Sequence, residues 1–191
     1  MSTVKTELRR QIEDARLVLS SLCDQETRIV EIAGRLTACL HAGGKALFCG
    51  NGGSACEASH FSAELMGRFR ADRGPLSAIS LSTDAALMSC VGNDYAFSSV
   101  FARQIVGLAR AGDLLFCLST SGNSENIVEA LLFARNLGVE AVAFLGKVGG
   151  RCKGIANYEI IVQSGDTARI QEAHLFLLHA MMDIVDAGER N

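Results

Sequence analysis

The 191-residue sequence predicts an α/β fold: a three-layer α/β/α sandwich around a parallel five-stranded sheet, preceded by N-terminal helices. Three observations lead there. Five short apolar runs, at Ala46–Cys49, Leu76–Leu81, Leu114–Leu118, Val139–Leu145 and Glu159–Val162, are mostly continuous rather than alternating in polarity. Strands covered on both faces, as in a parallel sheet, read that way. Helical stretches lie between and after them, at Ser54–Arg68, Tyr95–Ala111, Asn123–Leu137 and Thr167–Asp186, and strand–helix repetition builds a layered α/β domain. The first forty residues carry two apolar stripes at three- and four-residue spacing, Leu8–Ile12–Ala15–Leu19–Leu22 and Ile29–Ile32–Ala33–Leu36–Leu40, closed by a glycine stop at His41–Gly44. Core packing is their simplest use. Their place ahead of the first strand also makes residues 1–42 candidates for packing on another subunit, with the whole of 1–191 read as one domain.

Composition narrows the function. A hydrophobic content of 49% and near-balanced charge, 18 Lys and Arg against 21 Asp and Glu, exclude intrinsic disorder. A net charge of −3 argues against nucleic acid as a partner, because backbone binding needs a dense basic patch. No apolar stretch approaches the length of a membrane span, and the polar start, Met1 to Arg10, lacks the apolar core of a secretion signal. The cysteines, at 23, 39, 49, 56, 90, 117 and 152, form no Cys-x-x-Cys pair. Cys49 and Cys117 lie in apolar runs and read as small buried hydrophobes. A reduced, cytoplasmic setting is expected.

Two strand-to-helix loops hold the chemistry, since ligands of such sheets sit at the carboxyl ends of strands. In Cys49-Gly-Asn-Gly-Gly-Ser54, three glycines let the backbone approach a ligand, and Ser54 is placed to cap the following helix. No Lys follows the glycines and the pattern is not GxGxxG, so no nucleotide cofactor is expected. The spacing is equally that of an ordinary tight turn. Ser119-Thr-Ser-Gly-Asn-Ser124 is more telling. Four hydroxyls around a glycine at a helix start make a phosphate cradle of O–H groups, N–H groups and helix dipole. The helix after the first loop carries His60 and Glu64 at i and i+4, on one face. His174 and His179 fall in the apolar last helix, where a histidine is more often core than catalyst.

Taken in order, these motifs resemble the sugar isomerase (SIS) fold, and most closely the phosphoheptose isomerases. The matching stretches are Cys-Gly-Asn-Gly-Gly-Ser (49–54), His-Phe-Ser-Ala-Glu-Leu (60–65), Cys-Val-Gly-Asn-Asp (90–94), Ser-Thr-Ser-Gly-Asn-Ser (119–124), Gly-Lys-Val-Gly-Gly (146–150) and Ala-Arg-Ile-Gln-Glu-Ala-His (168–174), with His179 beyond. They span nearly the whole chain. The resemblance implies an aldose–ketose isomerase that interconverts sedoheptulose 7-phosphate and D-glycero-D-manno-heptose 7-phosphate, the first step toward the nucleotide-activated heptose of lipopolysaccharide and related polymers. It implies substrate contacts at Asn51, Gly52, Gly53, Ser54, Asn93 and Asp94, and phosphate contacts at Ser119, Thr120, Ser121 and Ser124. The catalytic carboxylate falls on Glu64 and the catalytic imidazole on His179. Zinc ligands of some members fall on His60, Glu64, Gln171 and His179, the substrate set also taking in Glu64 and Gln171. One position departs: Ala168 stands where some members carry Asp. Gln171 and His179 lie eight residues apart, about 12 Å along a helix, so ligands from two subunits would serve one ion better than one helix alone. A site at a subunit interface is therefore expected, and the resemblance implies a homotetramer. The rival is a non-enzymatic relative that binds a replication-initiation protein; such relatives lose the carboxylate or imidazole, and Glu64 and His179 are both present.

Overall fold

The computed structural model describes residues 2–70 and 72–188. Helices α1 (Ser2–Ser21) and α2 (Glu26–His41) lead into a fully parallel sheet of β1 (Ala46–Gly50), β2 (Ala78–Ser80), β3 (Leu114–Ser119), β4 (Glu140–Gly146) and β5 (Tyr158–Val162). Its spatial order is β2-β1-β3-β4-β5. The connecting helices are α3 (Gly53–Met66), α4 (Ala85–Asp94), α5 (Val100–Leu108) and α6 (Glu125–Asn136), and α7 (Thr167–Gly188) closes the chain.

Continuous apolar runs are what a doubly covered sheet requires, and the strand side chains divide by parity. Phe48, Phe116 and Phe144 join Phe61, Leu36, Leu177 and Met181 in one core, under α2, α3 and α7. Leu47, Leu115 and Leu145 join Val91, Phe101, Ile105 and Leu131 in the other, under α4, α5 and α6. Phe61 meets Phe48 edge-on at 4.8 Å, which seats α3 on the sheet. The edge of β5 is closed by a side chain: the Gln25 carboxamide donates to the Ile161 carbonyl at 3.1 Å and accepts its N–H at 3.2 Å, occupying groups that would otherwise invite another strand.

Four expectations are revised. The first apolar stripe packs only over its second half: Leu8 and Ile12 are 59% and 60% exposed, whereas Leu22 is buried and Leu19 packs against the core. The second strand is shorter than 76–81, because Pro75 has no N–H to give and the Leu76 N–H turns to the Leu65 carbonyl at 3.0 Å. The helix expected over 95–111 begins only at Val100, since Ala96 is extended (φ −159°, ψ 152°). Helix α4 was not anticipated; its start is set by Asp84, whose carboxylate accepts the Leu87 N–H. Among the described residues no helix is long and apolar enough to cross a membrane.

Candidate active site

The strand order reverses direction between β1 and β3, because the chain steps from β1 outward to β2 and then back past β1 to β3. At such a switch point the following loops diverge and leave a crevice. Here the loop after β1 leads to α3 on one face, and the loop after β3 leads to α6 on the other. Both motif loops thus border one cleft.

The hydroxyl loop holds its own shape. The Ser119 hydroxyl accepts the Gly122 N–H at 3.1 Å, the Ser121 hydroxyl accepts the Asn123 N–H at 3.1 Å, and Gly122 takes a left-handed φ of +64°. Both hydroxyls keep a proton to donate. Ser124 is the N-cap of α6, and its hydroxyl makes no capping bond, which leaves it free for a ligand. A second layer supports the loop from below: Cys152 N–H bonds the Gly122 carbonyl at 2.8 Å, and Arg151 N–H bonds Asn123 Oδ1 at 3.0 Å. A Cβ on Gly150 would lie 2.6 Å from the Ser121 carbonyl, so the 146–150 loop needs its glycines there.

In the glycine loop, Gly52 rather than Ser54 is the N-cap of α3, with φ +56°. Ser54 lies within the first turn, buried, its hydroxyl hydrogen-bonded to Glu57, so the capping expectation is not met. Burial pushes the Glu57 carboxyl up to about 7, the Ser54 bond pulling weakly the other way.

His60, Glu64 and His179 converge between α3 and α7. His60 Nε2 lies 2.9 Å from Glu64 Oε1 and 3.2 Å from His179 Nε2, and His179 Nε2 lies 3.6 Å from Glu64 Oε1. The Glu64 carboxylate is mostly covered, and its Oε2 is buried without a hydrogen-bond partner among the described residues. Two imidazole nitrogens and a carboxylate oxygen within 4.8 Å of one another form a donor set suited to a divalent ion such as zinc, and the unpaired Oε2 leaves such a cluster unsatisfied by protein alone.

Residues 11–146 match the SIS domain family model. The chain is 44% identical over 183 residues to a phosphoheptose isomerase of Geobacter metallireducens, covering 95% of this chain and 97% of the relative. The chain belongs to the SIS-domain phosphoheptose isomerases. A Campylobacter concisus member is 46% identical over 162 residues, 84% of this chain and 86% of that one. The solved phosphoheptose isomerase of Francisella tularensis superposes with a TM-score of 0.92 at 35% identity, over 98% of this chain and all of its own. This isomerase is therefore an enzyme acting on a sugar phosphate, built on the parallel five-stranded fold its sequence predicts.

The remaining expected residues are placed apart. Gln171 lies beside Gly53, where any Cβ would collide with its carboxamide. Because α3 and α7 run alongside in the same sense, Gln171 meets the start of α3, whereas His179 meets His60 about two turns further along. Asn93 and Asp94 sit exposed at the end of α4, on the opposite face, with Asn93 Nδ2 bonded to Asp94 Oδ1 at 2.8 Å. Sequence reasoning missed the residues that hold the cluster together. Arg73 runs buried from α3 to α7, donating to the Glu64 and Leu65 carbonyls at 2.9 and 2.8 Å and to Asp186 Oδ1 at 2.9 Å. Phe69 stacks on the His179 ring, centroids 5.6 Å apart. Neither carries a motif signal, since the contact that matters in each, Arg73 with Asp186 and Phe69 with His179, is with a residue more than a hundred positions away.

Proposed function

We propose that this isomerase converts sedoheptulose 7-phosphate to D-glycero-D-manno-heptose 7-phosphate through an enediol, the first step of nucleotide-heptose precursor synthesis. The observation that carries the reading is the Glu64 carboxylate: His60 holds Oε1, and buried Oε2 has no partner. A carboxylate oriented by one oxygen and open at the other is what abstraction of a carbon-bound proton needs.

The phosphate lies in the Ser119–Ser124 loop, against free hydroxyl protons and the N-terminus of α6, and its binding energy orients the reacting end. Glu64 removes a proton from C1 of the ketose. The C–H electron pair becomes the C1–C2 double bond while O2 takes a proton from His179. The O1 proton then passes back to His179 as Glu64 returns its proton to C2, leaving the carbonyl at C1. The backbone of Asn51, with Gly52, Gly53, Ser54, Asn93, Asp94 and Gln171, completes the proposed substrate contacts. His60, Glu64 and His179 would hold a zinc ion, with Gln171 as a further ligand; a carboxylate and an imidazole so bound are poor proton carriers, so the ion would supply polarisation of a carbonyl oxygen in place of their free acid–base roles.

The separation of Gln171 from His179, and of Asn93 and Asp94 from both, supports a site shared between subunits of a homotetramer. The exposed apolar side chains of Val4, Leu8 and Ile12 along α1 support the same reading. Incubation with sedoheptulose 7-phosphate, followed by NMR with and without added zinc, tests it. Aldoheptose signals are expected; a folded tetramer giving none under either condition overturns the isomerase reading in favour of the protein-binding relative.

A further inference from the structure

Asn51 and Asn126 face each other across the crevice and exchange both hydrogen bonds: Asn51 Nδ2 donates to Asn126 Oδ1 at 2.9 Å, and Asn126 Nδ2 donates to Asn51 Oδ1 at 2.8 Å. Asn51 is the first residue of the glycine loop, and Asn126 is the second residue of α6, just past the hydroxyl loop. Asn126 is almost wholly buried, at 2% exposure. The strands beneath run in register, Gly50 beside Leu118, so the two loops start side by side and then part toward opposite faces. The amide pair is thrown across that division.

We infer that Asn51 and Asn126 are positioning residues, a clamp that fixes the spacing between the glycine loop and the phosphate-holding hydroxyl loop. Asn51 Oδ1 and one Nδ2 proton are committed to Asn126, so the side chain acts by holding the loops, and backbone groups of residues 51–53 are left to face the ligand. A planar amide pair suits this task, because two parallel bonds fix direction as well as distance and every buried polar atom in the pair is matched. Removing either partner leaves the other amide unpaired in a buried place, and the loops lose their common reference.

The inference rests on the isomerase reading, and its test separates the two. Asn51→Ala and Asn126→Ala are each expected to raise KM for sedoheptulose 7-phosphate about tenfold with kcat within about threefold, the loss of roughly one net hydrogen bond. The double variant should be no worse than either single, because both remove the same clamp. Asn51→Ser and Asn126→Ser, which keep one bonding group, should fall between wild type and alanine, and they carry the test if the alanine variants do not fold. An unchanged KM in folded variants overturns the clamp. So does a far larger effect of Asn51→Ala than of Asn126→Ala, which would mark direct substrate contact by Asn51. Effects that multiply in the double variant overturn it as well. If wild type itself shows no turnover, the isomerase reading fails, and the clamp is judged by thermal melting with inorganic phosphate. Phosphate should then raise the melting temperature of wild type and not of the alanine variants; an identical response overturns it.

Discussion

The two ends of the site are built on different principles. The hydroxyl loop takes much of its shape from bonds within itself, Ser119 to Gly122 and Ser121 to Asn123, with the backbone of 151–152 bonded beneath it. The His60–Glu64–His179 cluster is made of side chains from two helices, and its parts meet only because α3 and α7 are fastened together. A loop that dictates its own shape tolerates shifts elsewhere in the molecule. A cluster held by distant packing does not. Mutations should therefore split into those that spare phosphate binding and those that spare the chemistry.

The largest effect is expected at the cluster itself. Glu64→Gln keeps shape and the bond to His60 while removing the base, so turnover should fall by about 10³-fold or more, with substrate binding retained. Retained turnover in a steady-state assay would refute Glu64 as base. Next comes Arg73→Ala. Arg73 and Asp186 are both buried, and breaking such a pair leaves a charge without a partner, at about 3–5 kcal/mol. Urea unfolding should show that loss. Where the variant remains folded, kcat should drop while KM moves little; a rise confined to KM would mean that α3 and α7 do not need this tie to present the cluster. Ser119→Ala combined with Ser124→Ala should do the reverse, raising KM roughly tenfold to a hundredfold at nearly constant kcat, through loss of one or two ligand hydrogen bonds. An unchanged KM discards the cradle.

The same division explains what was legible in the sequence. The hydroxyl loop could be read from residues 119–124 because its bonds are local. The strands could be read because a doubly covered sheet must be apolar throughout. The helix break at Ala96 was hidden, since Tyr95–Ala111 keeps helical spacing and only the backbone at 96 departs from it. Helix α4 was hidden too, because Ala85–Asp94 shows a weak stripe and buries little beyond Val91. At the site, spacing alone joined His60 to Glu64. His179 entered only through resemblance, and Arg73, Phe69 and Asn126 entered through neither, since their work is defined by contacts across the fold.

The smallest effect concerns two buried groups beneath the site, which titrate in opposite senses. Burial pushes His174 from 6.5 down to about 4, against a weaker upward pull from its bond to the Leu145 carbonyl. Between those values the unfolded chain takes up a proton that the folded one refuses. Stability from His174 is therefore complete above pH 6.5 and is lost as pH falls toward 4. Glu57 is pushed from 4.5 up to about 7, so the folded chain keeps a proton that the unfolded chain releases. Its contribution is complete below pH 4.5 and is lost as pH rises toward 7. From pH 4.5 to 6.5 the two slopes oppose and largely cancel. Replacing either group removes the balance: His174→Gln should lose stability as pH rises through that window, and Glu57→Gln should lose it as pH falls, each by on the order of 2 kcal/mol. Chemical denaturation at a series of pH values reads both slopes. Curves for the variants that run parallel to wild type would show that these buried groups do not titrate with folding, and that the floor of the site is more open to water than its packing implies.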